Sequence, residues 1–199
     1  MLFIVKQQTN MAMSSDKSKL ITIKSFESTA AEKRTDAITR HRSLYSRKAF
    51  LANEVIAGFN WKKIHSKPSY LTIQISDNEH IELLPAYLDC VNHSCDPNSF
   101  FDTTTQQFLS VKPIKEGEEF TFFYPSSEWD MDQAFQCNCG SAACLGLIKG
   151  AKYLPANLIK NYRFTDFIEQ KLKLERGLQP TRAGHLVPKQ GVHNSSPLL

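Results

Sequence analysis

Two stretches of the chain concentrate groups that can bind metal. "CNCGSAACLG" carries Cys137, Cys139 and Cys144 in a C-x-C-x4-C arrangement. A structural zinc wants four ligands in a closed tetrahedron, and this run supplies three thiolates. Gly140 and the small Ser-Ala-Ala insert let the backbone fold closely around an ion. The fourth ligand must come from elsewhere, and the candidates are Cys95, Cys90 and a histidine. Upstream, "VNHSCDPN" (residues 91–98) packs Asn92, His93 and Cys95 ahead of an Asp-Pro turn. Free cysteine often acts as a small buried hydrophobe. Three of them in so short a polar, glycine-containing run point to metal instead.

The elements that must position these groups read as mainly β. The chain has 199 residues, enough for one well-cored domain with appendages. Short runs of β-branched and aromatic residues recur: "LITIKSF", "SLYS", "EVIAGF", "YLTIQIS", "HIELL", "QFLSVKPI" and "EFTFFY". In "YLTIQIS", Thr72, Gln74 and Ser76 alternate with Leu71, Ile73 and Ile75, so the two sets face opposite ways. "ESTAAEKRTDAITR" suits a short helix or a loop. After the last cysteine, Leu158, Tyr162, Phe167, Ile168 and Leu172 fall at helical spacing, with a second helix start at Thr165-Asp166. Beyond Gly177 the Pro-, Gly-, Ser- and Gln-rich tail suggests disorder.

Totals bound the setting. No apolar run approaches the roughly 18 residues a membrane helix needs, and "MLFIV" lacks the flanks of a secretory signal. A cytoplasmic protein is expected, or a nuclear one in a eukaryote. Five cysteines, an odd number, argue against a disulfide framework. A net charge of +4 without any Lys/Arg cluster gives no reason to expect nucleic-acid or membrane binding.

In order and approximate spacing, "NHSCDPN", "EGEEFTFFY" and "CNCGSAACLG" resemble the SET-domain protein-lysine methyltransferases with their post-SET zinc motif. "HRSLYSRKAFLANEVI" resembles that family's opening strand pair, and "YPSSEWDMDQAFQCNCG" the link from core to zinc knot in small microbial and fungal members. The resemblance spans about residues 18 to 150. It implies a fold of several small sheets with a pseudoknot-like C-terminal threading, a zinc knot and a C-terminal helix. With a flexible arm (1–17) and a disordered tail (178–199) read from composition, the expected organisation adds a SET domain (18–125), a post-SET zinc-binding segment (126–150) and a helical extension (151–177).

Roles follow from the same resemblance. Asn92 and His93 look like the pair that holds S-adenosylmethionine, with Ser43 and Tyr45 of the opening strand and Tyr124 also against the cofactor. Cys95 looks like the fourth zinc ligand, beside Cys137, Cys139 and Cys144. Tyr124 corresponds to the catalytic tyrosine, Phe122 to the position that sets methylation state, and Trp129 to a wall of the substrate channel. The implied activity is methyl transfer to the ε-amine of a lysine in a protein or peptide, histone tails being the habitual target of eukaryotic relatives. His41-Arg42-Ser43 stands where the family carries Gly-x-Gly. The alternative is therefore a SET-like, zinc-bearing binding module without turnover. Methylation of a small amine is a third reading.

Overall fold

A computed structural model of the chain describes residues 22–26, 28–180 and 186–188. The arm expected over 1–17 lies outside them. Along the chain run β1 (Thr22–Phe26), β2 (Ala31–Asp36), β3 (Arg42–Ser46), β4 (Val55–Gly58), β5 (Asn60–His65), β6 (Thr72–Ser76) and β7 (Glu79–Leu84). There follow β8 (Asn92–His93), β9 (Ser99–Asp102), β10 (Gln107–Ser110), β11 (Thr121–Phe122), β12 (Phe135–Gln136) and β13 (Leu147–Ile148). Then come α1 (Ala156–Ile159), α2 (Asp166–Arg176), β14 (Leu178–Pro180) and β15 (Leu186–Pro188). The strands form small sheets in the orders β1-β2-β3, β4-β10-β9 and β5-β7-β6, with two-stranded pairs between the others. This is the mainly β, many-sheeted fold expected.

Most strands fall where β-branched and aromatic residues alternate, but β2 occupies the stretch read as helix or loop. Ala31, Glu32, Lys33 and Arg34 have good helix propensity. Pairing with β1 on one side and β3 on the other overrides it. The β2–β3 turn is set by Asp36, whose Oδ1 accepts the N–H of Ile38 (2.9 Å) and of Thr39 (2.6 Å) while Arg40 takes a positive φ.

The first core holds Leu44, Ile81, Phe101, Phe108 and Phe120, all nearly inaccessible. Its rings lead to the site. Phe108 stacks on Phe101 (centroids 4.5 Å), Phe101 meets Phe122 edge-on (4.9 Å), and Phe122 tilts against Tyr124 (4.7 Å). The segment expected to thread pairs with the strand of the "NHSC" motif. β11 runs parallel to β8, with Thr121 opposite Asn92 and Phe122 opposite His93. The buried Asn98 clamps the pass: its Oδ1 accepts the Thr121 N–H (2.9 Å) and its Nδ2 donates to Glu119 O (2.8 Å).

A second core joins Phe123, Trp129, Ala151, Ile159, Phe164, Ile168 and Leu172. The helical extension is two helices, with the break just before Thr165-Asp166 as the sequence allowed. Ile168 and Leu172, one turn apart, are the buried stripe of α2. Gly177 ends the helix in the left-handed conformation. β14 pairs with β15 inside the tail expected to be disordered, and the rest of that tail lies outside the described residues.

The second core and the cysteine-rich segment are zipped together where 128–131 meets 149–152. Met131 N–H donates to Lys149 O, Ala151 N–H to Glu128 O and Lys152 N–H to Trp129 O. Gly150 sits in this crossing at φ 130°, where a β-carbon would stand 2.5 Å from Trp129 O. Gly150→Ala should therefore cost about 2–3 kcal/mol. Urea unfolding checks this, and an unchanged midpoint would contradict the crossing.

Candidate active site and metal centre

The residues alone left the fourth ligand open among Cys95, Cys90 and a histidine, and the resemblance pointed to Cys95. The structure brings Cys95 to Cys137, Cys139 and Cys144, with all four sulfurs within 4.8 Å of one another. Cys90 lies apart, buried in the first core. Four sulfurs about 2.3 Å from a common ion stand about 3.8 Å from each other. Cys95 Sγ and Cys137 Sγ are 3.8 Å apart. The backbone is shaped for this. Gly140 and Gly146 take positive φ, Cys137 N–H donates to Gly146 O (2.6 Å), and Leu145 N–H points at Cys95 Sγ (3.4 Å). Burial pushes the Cys95 thiol up to about 11. Several thiolates packed in a protein interior require a cation to hold them charged, so the donor set fits a thiophilic metal.

A cleft of about 760 Å³ runs from β8 to the cysteine-rich segment, well within the size of small-molecule and cofactor sites. Asn92, His93, Phe122 and Tyr124 line it together. Tyr124 is half-buried, and its hydroxyl donates to Val91 O (3.3 Å). The oxygen keeps lone pairs to accept a further bond. Tyr124 N–H donates to His93 Nδ1 (3.2 Å), and His93 Nε2 lies 3.4 Å from Cys95 Sγ. A ring that accepts at Nδ1 carries its proton on Nε2, directed at the sulfur. Phe135, two residues before Cys137, packs edge-on to both His93 (5.5 Å) and Tyr124 (5.8 Å). One end of "NHSC" therefore faces the cleft and the other the cysteine cluster.

Other expected residues take different places. Ser43 is buried beneath Asn92, whose Nδ2 reaches Ser43 Oγ (2.9 Å), Arg42 O (3.0 Å), His41 Nε2 (3.1 Å) and Glu119 Oε1 (2.8 Å). Tyr45 carries Arg34 over its ring, and its hydroxyl lies 3.5 Å from Glu119 Oε2. Burial and then the Glu119 charge raise the Tyr45 hydroxyl above its ordinary pKa. Neither Ser43 nor Tyr45 is on the cleft wall; His41 is. Trp129, expected on the channel wall, packs into the second core instead, its backbone N–H donating to Gln74 Oε1 (2.9 Å). Alternation along 128–129 turns the indole inward and leaves Glu128 on the cleft.

Two residues of the wall had no sequence signal. Glu119, two residues after Gly117, ties Asn92 to Tyr45 through the bridge between Tyr45 and Glu119. Glu128 read as linker, yet its Oε1 accepts the N–H of Gln74 on β6 (3.0 Å). Both contacts join residues far apart in sequence, which no local pattern reveals.

A family model described as SET domain matches residues 17–125. The chain is 40% identical over 108 residues to Methyltransferase flvH of Aspergillus flavus, covering 53% of this chain and 60% of that protein. It is 44% identical over 66 residues to Histone-lysine N-methyltransferase Set2 of Drosophila melanogaster, 30% of this chain and 3% of that protein. With Histone-lysine N-methyltransferase ash1 of the same fly it shares 36% over 80 residues, 34% of this chain and 4% of that protein. The chain thus spans 60% of the length of the first of these relatives and only a small part of the others. Since the family model takes in more than half of its residues, the chain belongs to the SET-domain family.

Proposed function

We propose that the protein transfers a methyl group from S-adenosylmethionine to the ε-amine of a lysine in a protein substrate. The observation that carries this is the convergence of Asn92, His93, Phe122 and Tyr124 on one cleft. The names of the matched relatives support the same chemistry. S-adenosylmethionine supplies an already activated methyl on a sulfonium, so the chain's own work is to bind, align and exclude water. Asn92 and His93 hold the cofactor end, with Ser43 and Tyr45 bracing Asn92 through direct and Glu119-mediated hydrogen bonds. The attacking amine must be neutral, whereas a free lysine titrates near 10.4. Apolar walls made by Phe122 and Phe135, beside a positive sulfonium, favour the neutral amine. Tyr124 Oη, with its hydrogen committed to Val91 O, accepts a bond from the amine and orients it.

Phe122 has no hydroxyl to retain the amine or a water, leaving room for di- and trimethylated product. Incubation of metal-loaded protein with labelled S-adenosylmethionine and a lysine-peptide library, read by mass spectrometry, tests both residues. Tyr124→Phe should lower transfer about 100-fold, and Phe122→Tyr should shift the product toward monomethyl-lysine. No labelled lysine from folded wild-type protein would instead favour a binding module.

The ion we propose for Cys95, Cys137, Cys139 and Cys144 is Zn2+, the usual choice of a closed four-thiolate tetrahedron. It pins the segment bearing Phe135 over the cleft. Elemental analysis should find about one zinc per chain, lost in Cys144→Ala. A metal-free wild type, or a variant that keeps its zinc, would refute the site.

A further inference from the structure

The net charge of the chain is +4, yet its cleft is lined by Asp89, Glu119, Glu128 and Asp132 and, among the described residues, by no lysine or arginine. Two of these acids are engaged. Asp89 faces Arg42 at 3.6 Å, and Glu119 holds Asn92. Glu128 is different. It is 7% exposed, and its Oε1 is fixed by the Gln74 N–H. Its Oε2 has His80 Nδ1 at 4.0 Å as the one ion-pair partner among the described residues. His80 is 2% exposed, and that Nδ1 makes no hydrogen bond in the structure.

Neither partner is set up to charge the other. Burial raises the Glu128 carboxyl well above the usual range, and burial, then the facing His65, lowers His80. On a cleft wall, a buried carboxyl beside a histidine nitrogen that makes no hydrogen bond leaves polar groups short of partners, which is costly for stability alone. The arrangement becomes favourable when a cation docks against it, because the carboxyl can then ionise in a low-dielectric setting.

We infer that Glu128, backed by His80 and fixed by Gln74, is a subsite for a second positive group of the substrate: an ammonium or guanidinium other than the reacting amine. This rests on the cleft being the substrate site. It assigns a class of substrate, a polypeptide with a basic residue near the target lysine. A short-chain amine bearing a second charge would present the same chemistry.

Fluorescence anisotropy with labelled peptides holding one lysine and an arginine walked through the flanking positions, each against its glutamine twin, tests the peptide source. Calorimetry with methylguanidine tests the small-cation source. At one position arginine should bind about 10–100-fold tighter than glutamine, and Glu128→Gln, which keeps an acceptor for the Gln74 N–H, should abolish the difference. Methylguanidine binding that Glu128→Gln removes would assign the same subsite to a small amine. The inference is overturned if wild type shows neither arginine preference nor methylguanidine binding, or if either survives in Glu128→Gln. Binding of S-adenosylmethionine, titrated separately, is independent of these outcomes. A chain that binds it without discriminating cations retains the methyl-transfer reading and loses the subsite.

Discussion

His93 is the joint between the cleft and the cysteine cluster. One ring nitrogen takes the backbone N–H of Tyr124, and the other lies against the sulfur of Cys95. The ring can serve both only while β8 and β11 stay in register, with Phe122 opposite His93. That register is enforced by Asn98, which satisfies the backbone at 119–121 from its place just ahead of β9. A slip of one residue would turn every side chain to the other face and take Phe122 and Tyr124 off the cleft.

Packing on both sides protects the joint. From the first core, the ring series Phe108, Phe101 and Phe122 fixes Tyr124 from behind. From the second, Tyr162 stacks on Phe123 at 3.7 Å, and its hydroxyl donates to Cys95 O at 3.1 Å. The cysteine-rich segment closes the arrangement, since Phe135 leans on His93 and Tyr124 from just ahead of Cys137. In the proposed account the ion is structural in its coordination and functional in its consequence, because it decides whether the apolar lid is present. Stripping the solvent shell from a reacting amine depends on such a lid.

Much of this was legible in the sequence because it is local. Alternating β-branched residues marked β6 and β7, and cysteine spacing marked a candidate metal site lacking one ligand. The motif around Cys95 marked where that ligand is. What escaped the sequence was contact across distance. β2 looked helical until its two neighbours claimed its backbone. Thr72 and Gln74 alternate away from Ile73 as expected, yet both are buried, because the 127–129 segment covers that face. Trp129 and Glu128 exchanged the roles their types suggested: the aromatic went into the second core and the acid onto the cleft wall. Glu119 belongs to the site only through partners on β3 and β8.

The central claim is that metal centre and cofactor site are one cooperative unit joined through His93 and Phe135. The direct measurement is calorimetric titration of S-adenosylmethionine into zinc-loaded protein and into protein stripped by chelator, with far-UV circular dichroism confirming that the sheets persist. Micromolar binding, about −8 kcal/mol, in the loaded form, weakened at least about 100-fold after stripping, is the predicted result. Equal affinity in both forms would contradict the account.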